Sequence, residues 1–222
     1  MNTSGNAALR DSGASRESME GTGHEEIIYG HRFSAEEEAT REATWRCLVS
    51  RFFQQRIPVS ASVLDLGAGD GKFIKNVQAA KRIAVDISPH VQALNDEGIS
   101  VITASATEFR QHLSEPVDVI FLSNFLEHLP NKRLLLEVLA ECYSALRPGG
   151  QIMVLQPNIR YVGPAYWDYI DHHIALTEHS LVEALEVNGF EIAELIPRFL
   201  PYTARSKTGK LASLIDPERM VQ

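Results

Sequence analysis

Two kinds of residue in this chain carry chemistry in their spacing: glycines with flanking acids, and histidines. The stretch Val63-Leu64-Asp65-Leu66-Gly67-Ala68-Gly69-Asp70-Gly71 follows an apolar run and precedes a helical pattern. Glycines there allow a sharp turn and let backbone approach a ligand closely. The helix start beyond them offers unpaired N–H groups to an anionic group. A nicotinamide loop would read G-x-G-x-x-G, whereas Gly67, Gly69 and Gly71 read G-x-G-x-G. Asp65, two residues before the first glycine, disfavours a pyrophosphate and suits a ligand carrying an ammonium beside its carboxylate. Asp86 ends the next apolar run, where a carboxylate can accept hydrogen bonds from ribose hydroxyls. It could instead cap a helix, but Ser88 before Pro89 fills that role. Ile87 is placed to pack on a base. Histidines that could take a proton are His128, His172 beside Asp171, and His31.

Elements that position such residues are read from the hydrophobic pattern. Apolar runs at 62–66, 82–87, 100–104, 117–123, 151–156 and 191–197 predict strands buried on both faces. Helical patterns over 72–79, 89–96, 107–113, 132–146 and 180–188 alternate with them. The expected fold is therefore α/β: a doubly wound, Rossmann-like, mostly parallel sheet of six or seven strands with helices on both faces. The second member of a last strand pair has no convincing segment, and 199–203 is the candidate substitute. Such a sheet binds ligands outside the carboxyl ends of its strands.

Residues 1–23, rich in Ser, Gly, Asn, Thr and charge, read as a flexible tail. Residues 24–60 read as an N-terminal helical lid, with Ser34 and Glu37 as a capping box. The binding domain spans 61–200, with a cap insertion at about 158–177, and 201–222 is an extension.

The motifs together resemble the class I S-adenosylmethionine-dependent methyltransferase family, whose first motif is D/E-x-G-x-G-x-G. Val117-Asp118-Val119-Ile120-Phe121 followed by Asn124-Phe125-Leu126-Glu127-His128-Leu129 is similar to its fourth strand and L-E-H-L continuation. Leu146-Arg147-Pro148-Gly149-Gly150 is similar to its turn into the fifth strand. The resemblance covers about 62–199. It implies S-adenosyl-L-methionine as cofactor, in a pocket of Asp65, Gly67, Ala68, Gly69, Gly71, Asp86, Ile87, Ser105, Ala106 and Asn124. Ser105 stands where the family usually has an Asp for the adenine amino group, and a neutral hydroxyl holds it more weakly.

Methyl transfer from a sulfonium asks the protein chiefly to align the acceptor and exclude water. An alcohol acceptor also needs a base, for which His172 is preferred, with Asp171 beside it and His128 second. Set against these roles are a structural histidine at 128, a solvent-facing polar cluster at 171–173 and a surface histidine at 31. Asp168, Asp171, His172, His173 and His179 match no strong metal pattern, so no metal is expected. The cap around Trp167, with Arg198, Tyr202, Arg205, Lys207 and Lys210, resembles bacterial methyltransferases associated with glycan synthesis. The expected reaction is O-methylation of a small hydroxylated acceptor such as a sugar. N-methylation, a non-catalytic cofactor-binding subunit and, more remotely, a nicotinamide oxidoreductase stay open.

The 222 residues carry 44% hydrophobic side chains and a formal charge of −8. That length suits one domain, and the acidity argues against a nucleic-acid partner. A small-molecule acceptor is expected, without membrane insertion, and a homodimer is left open. Cys47 and Cys142 read as reduced thiols. With no signal-peptide order at the start, the expected location is cytoplasmic.

Overall fold

The computed structural model describes residues 35–200. The tail at 1–23, His31, Ser34 and the extension at 201–222 lie outside the described residues. Helix α1, Ala35–Leu48, continues through a wider turn at Val49–Phe53 and a tight one at Gln54–Arg56. Five strands follow: β1 Ser62–Leu66, β2 Lys81–Asp86, β3 Ser100–Thr103, β4 Val117–Ser123 and β5 Leu146–Leu155. They form one parallel sheet in the order β3-β2-β1-β4-β5. Between β1 and β4 the winding reverses, which opens a crevice above their carboxyl ends.

Side chains alternate across the sheet as the pleat requires. Val63, Ala84, Val119 and Phe121 pack with Leu48, Val49, Phe53 and Phe73 on one face. Phe73 stacks on Phe121 with ring centroids 3.7 Å apart. Phe73 belongs to α2, Lys72–Asn76. On the opposite face Leu64, Leu66, Ile120 and Leu122 meet Leu135, Val138, Leu139 and Cys142. The last four belong to α3, Lys132–Ala145, which Asn131 starts by accepting from the Leu134 N–H at 2.9 Å. A short helix α4, Ile159–Val162, opens the cap, and α5, Glu178–Val187, starts at a Thr177–Ser180 capping box. Helices therefore cover both faces, as expected. None of the described helices is long and apolar enough to cross a membrane.

The sheet departs from expectation at its edge. Residues 191–197 form no strand, so among the described residues the sheet has five strands rather than six or seven. The segment lies across the molecule by side-chain contacts: Arg56 grips Glu194 through two hydrogen bonds of 2.9 and 3.0 Å. Arg56 also lies over the Phe52 ring, which packs against Phe53 at 5.2 Å and Phe199 at 4.5 Å. With Leu195 46% exposed, the segment lacks the two-sided burial of a central parallel strand. Three of the expected helices are also shorter or tighter. The one after β1 stops at Asn76, where Val77 turns extended, and those at Pro89–Glu97 and Phe109–His112 are 3-10 turns.

Candidate active site

The loop after β1 runs into the crevice with Gly67 and Gly69 at φ of 74° and 51°. Its backbone is tied to β2 because the N–H groups of Gly67 and Ala68 both donate to the Val85 carbonyl, at 2.9 and 3.1 Å. The two glycines are needed for different reasons. A Cβ on Gly67 would stand 2.4 Å from Cδ2 of Phe125, so the β1 and β4 loops touch there. A Cβ on Gly69 would meet nothing within 4 Å. Gly69 therefore faces open space, where a ligand can lie against backbone.

Asp86 closes this loop. One carboxylate oxygen accepts from Gly69 N–H and the other from Ser88 N–H, both at 2.8 Å. Each oxygen retains accepting capacity for ribose hydroxyls. The Ser88 hydroxyl caps the following turn by accepting from His90 N–H. Ile87, beside Asp86, is 56% exposed, an apolar surface offered at the strand tip. Asp65 does not project into the crevice as a free charge. It is 3% exposed, and burial, together with Asp86 and Asp70, raises its carboxyl to about 8. Ser105 and Ala106 follow β3, and the Ser105 hydroxyl lies 3.0 Å from that of Thr107. Asn124 follows β4 with φ of 47°, a backbone region that side chains other than glycine seldom occupy. Its N–H donates to the Leu155 carbonyl at 2.9 Å, fastening the β4 and β5 ends together.

His128 and His172 come together, with ring centroids 5.2 Å apart. The Glu127 carbonyl accepts from the N–H groups of His173 and Ile174, at 2.8 and 3.2 Å, and so docks the cap on the β4 loop. This brings Asp171 to His128, 43 residues away. His128 Nδ1 lies 3.0 Å from the Asp171 carbonyl and 3.3 Å from its carboxylate. His172 is 9% exposed, among the rings of Tyr166, Tyr169 and His128, with Nδ1 2.8 Å from the Tyr166 carbonyl. A carbonyl can only accept, so Nδ1 carries hydrogen in both rings and the neutral imidazoles have their lone pair at Nε2.

Glu127 was not among the expected site residues. Its side chain is 1% exposed, Oε2 makes no well-aligned hydrogen bond, and burial raises the carboxyl to about 7 against the opposing pull of Gln156. The Gln156 amide is buried beside it and favours the ionised carboxylate, although neither of its polar atoms makes a well-aligned hydrogen bond. The signal was the lone carboxylate between Leu126 and His128 in an otherwise apolar turn. Of the histidines and aspartates weighed together for a metal, Asp168, His173 and His179 are exposed. Instead Glu127, His128 and His172 each place one potential ligand atom within 4.8 Å of the others.

The model of a family described as a methyltransferase domain matches residues 38–195. The chain belongs to that family. S-adenosylmethionine is the family's cofactor, and the open face at Gly69, the paired acceptors of Asp86 and the exposed Ile87 fit its amino-acid, ribose and base portions. Two curated relatives are similar over part of the methyltransferase. The tRNA (carboxymethyluridine(34)-5-O)-methyltransferase of Arabidopsis thaliana is 26% identical over 148 residues, 64% of this chain and 36% of that protein. The tRNA 5-carboxymethoxyuridine methyltransferase of Escherichia coli K12 is 30% identical over 125 residues, 51% of this chain and 46% of that protein. The methyltransferase thus spans less than half the length of these relatives. Among solved structures, a SAM-dependent methyltransferase from Archaeoglobus fulgidus superposes with a TM-score of 0.59 at 22% identity, covering 88% and 90% of the two chains. One from Clostridium acetobutylicum gives 0.55 at 10% identity, covering 77% and 86%. These likenesses show the fold.

Proposed function

We propose that this methyltransferase methylates a hydroxyl oxygen of a small hydroxylated acceptor, with a sugar or saccharide derivative as the acceptor class and His128 as the base. The observation that carries the reading is the His128–Asp171 pair on the β4 loop. Asp171 fixes the ring with Nδ1–H inward, orients Nε2 as the basic nitrogen and stabilises the imidazolium that forms. In the transfer the acceptor oxygen bonds to the methyl carbon, the carbon–sulfur bond breaks, and the hydroxyl proton passes to His128 Nε2. The cofactor supplies an already activated methyl group. Asp86 and the Gly67–Gly71 loop hold it, while Ile87, Ser105 and Asn124 line its nucleoside side. His172, preferred on sequence grounds, is packed among three rings and serves as a wall for His128. A sugar ring suits the cap because Trp167 and Tyr161 present aromatic faces there, 55% and 48% exposed, with Arg198 5.8 Å over Tyr161. The oxygen acceptor in the Arabidopsis relative's name supports transfer to oxygen.

The relatives' names favour a second acceptor, a carboxymethylated or carboxymethoxylated uridine in tRNA. A formal charge of −8 opposes it, since tRNA binding rests on Lys and Arg meeting phosphates. The test incubates the chelator-treated protein with radiolabelled S-adenosylmethionine and, separately, a panel of nucleotide sugars and free sugars, or total tRNA. His128→Gln and Asp171→Asn are run beside it. The expected result is label in a sugar fraction, lost by roughly a hundredfold or more in His128→Gln. Asp171→Asn should shift the alkaline-rising limb of the pH profile to lower pH, because imidazolium loses its anionic partner. Label in tRNA alone replaces the acceptor, and near-normal turnover in His128→Gln removes the base.

A further inference from the structure

We propose that Glu127, His128 and His172 form a binding site for a divalent transition-metal ion of the zinc class beneath the acceptor face. Three independent features point there. First, each residue offers one ligand atom within 4.8 Å of the other two. Ligands on a tetrahedral zinc ion stand about 3.3 Å apart when each bond is about 2.0–2.1 Å. Small side-chain rotations close that gap.

Second, both imidazoles have their Nδ1–H committed to a carbonyl, His128 to Asp171 and His172 to Tyr166. This is the outer-shell arrangement of metal-binding histidines, which fixes the tautomer and makes Nε2 the nitrogen that would ligate an ion. Asp171 adds a carboxylate at 3.3 Å behind His128, raising the basicity of its ring.

Third, Glu127 Oε2 is buried and makes no well-aligned hydrogen bond, with the Gln156 amide as the polar group beside it, an under-satisfied state native interiors rarely keep. A cation satisfies it. Two imidazoles and one carboxylate suit zinc, cobalt or ferrous iron, whereas calcium and magnesium prefer oxygen-only sets. His128 keeps 23% of its side chain exposed, which gives the ion a way in.

The ion and the acceptor proton compete for His128 Nε2, so the metal-loaded and metal-free proteins are distinct states. Binding itself does not depend on His128 being the base. For that reason the activity test above uses chelated protein, and the metal test uses none of its readouts.

Chelator-treated full-length protein is titrated with Co2+ and followed by visible absorption, then with Zn2+ by calorimetry. The expected result is one equivalent of Co2+ with the strong band of four-coordinate cobalt, displaced by Zn2+. Glu127→Gln and His172→Gln should each weaken binding at least tenfold, while His173→Ala and His179→Ala, both exposed, leave it unchanged. Glu127→Gln keeps the side-chain shape, and its thermal unfolding without metal reports whether it folds. Absence of saturable binding, a weak six-coordinate cobalt spectrum, or equal affinity in a folded Glu127→Gln would each overturn the proposal.

Discussion

Alanine at Gly69 and at Gly67 should separate ligand space from folding. Both glycines have positive φ, where an L-residue costs about 1–2 kcal/mol. At Gly69 that is the whole cost to the fold, because the new Cβ meets no protein atom within 4 Å. For a chain of this size the melting temperature should fall by about 2–8 °C. At Gly67 the Cβ would also stand 2.4 Å from Phe125 Cδ2 and 2.9 Å from its Cγ. The ring must move by about an ångström, and overpacking of that kind adds about 1–3 kcal/mol. Cofactor affinity should rank the other way per unit of lost stability. The Gly69→Ala methyl occupies the face where the ligand meets backbone, so the product S-adenosylhomocysteine should bind at least tenfold more weakly, about 1.4 kcal/mol. Thermal unfolding with and without S-adenosylhomocysteine, followed by calorimetry, measures both quantities. Undiminished affinity in Gly69→Ala, or an equal loss of stability in the two variants, would refute the assignment of that face.

Asp65→Asn should flatten the pH dependence of stability. A carboxyl raised from 3.8 to about 8 binds a proton in the folded chain that the unfolded chain has released. The wild type therefore loses stability as pH rises through that window, by up to about 1.4 kcal/mol per pH unit. Urea unfolding at pH 5, 6 and 7 should show a shallower decline in the variant, and parallel lines would exclude a protonated Asp65. Asp86→Ala should weaken S-adenosylmethionine binding by about 1–3 kcal/mol through lost charged hydrogen bonds. Calorimetry finding wild-type affinity would remove Asp86 from the pocket.

The parallel sheet and the glycine turn at its switch point were legible because their signals are local. Gly67, Gly69, Asp86 and Ser88 all act within one strand-to-helix turn or one strand tip, and spacing along the chain reports them directly. The Asp171–His128 pair is not local. Adjacency in sequence pointed Asp171 at His172, while docking of the cap on the Glu127 carbonyl turned it to His128. Burial of Glu127 was hidden for the same reason, since a glutamate next to a histidine reads as a solvated turn until the cap covers it. The segment 191–197 misled by composition. Its Ile, Leu and Ile resemble a strand, yet its place is held by the Arg56–Glu194 ion pair and by aromatic contacts, which no period-2 pattern encodes.

Asp86 reaches backward to Gly69 and forward to Ser88. The glycine turn and the β2 tip, the proposed holders of the cofactor's amino-acid end and ribose, are thereby stapled into one unit. The ordering entropy of both loops is largely spent during folding, which leaves less to lose on association. Losing that single carboxylate would slacken both ends of the crevice together, so the cofactor would meet a floppier receptor as well as one with fewer contacts.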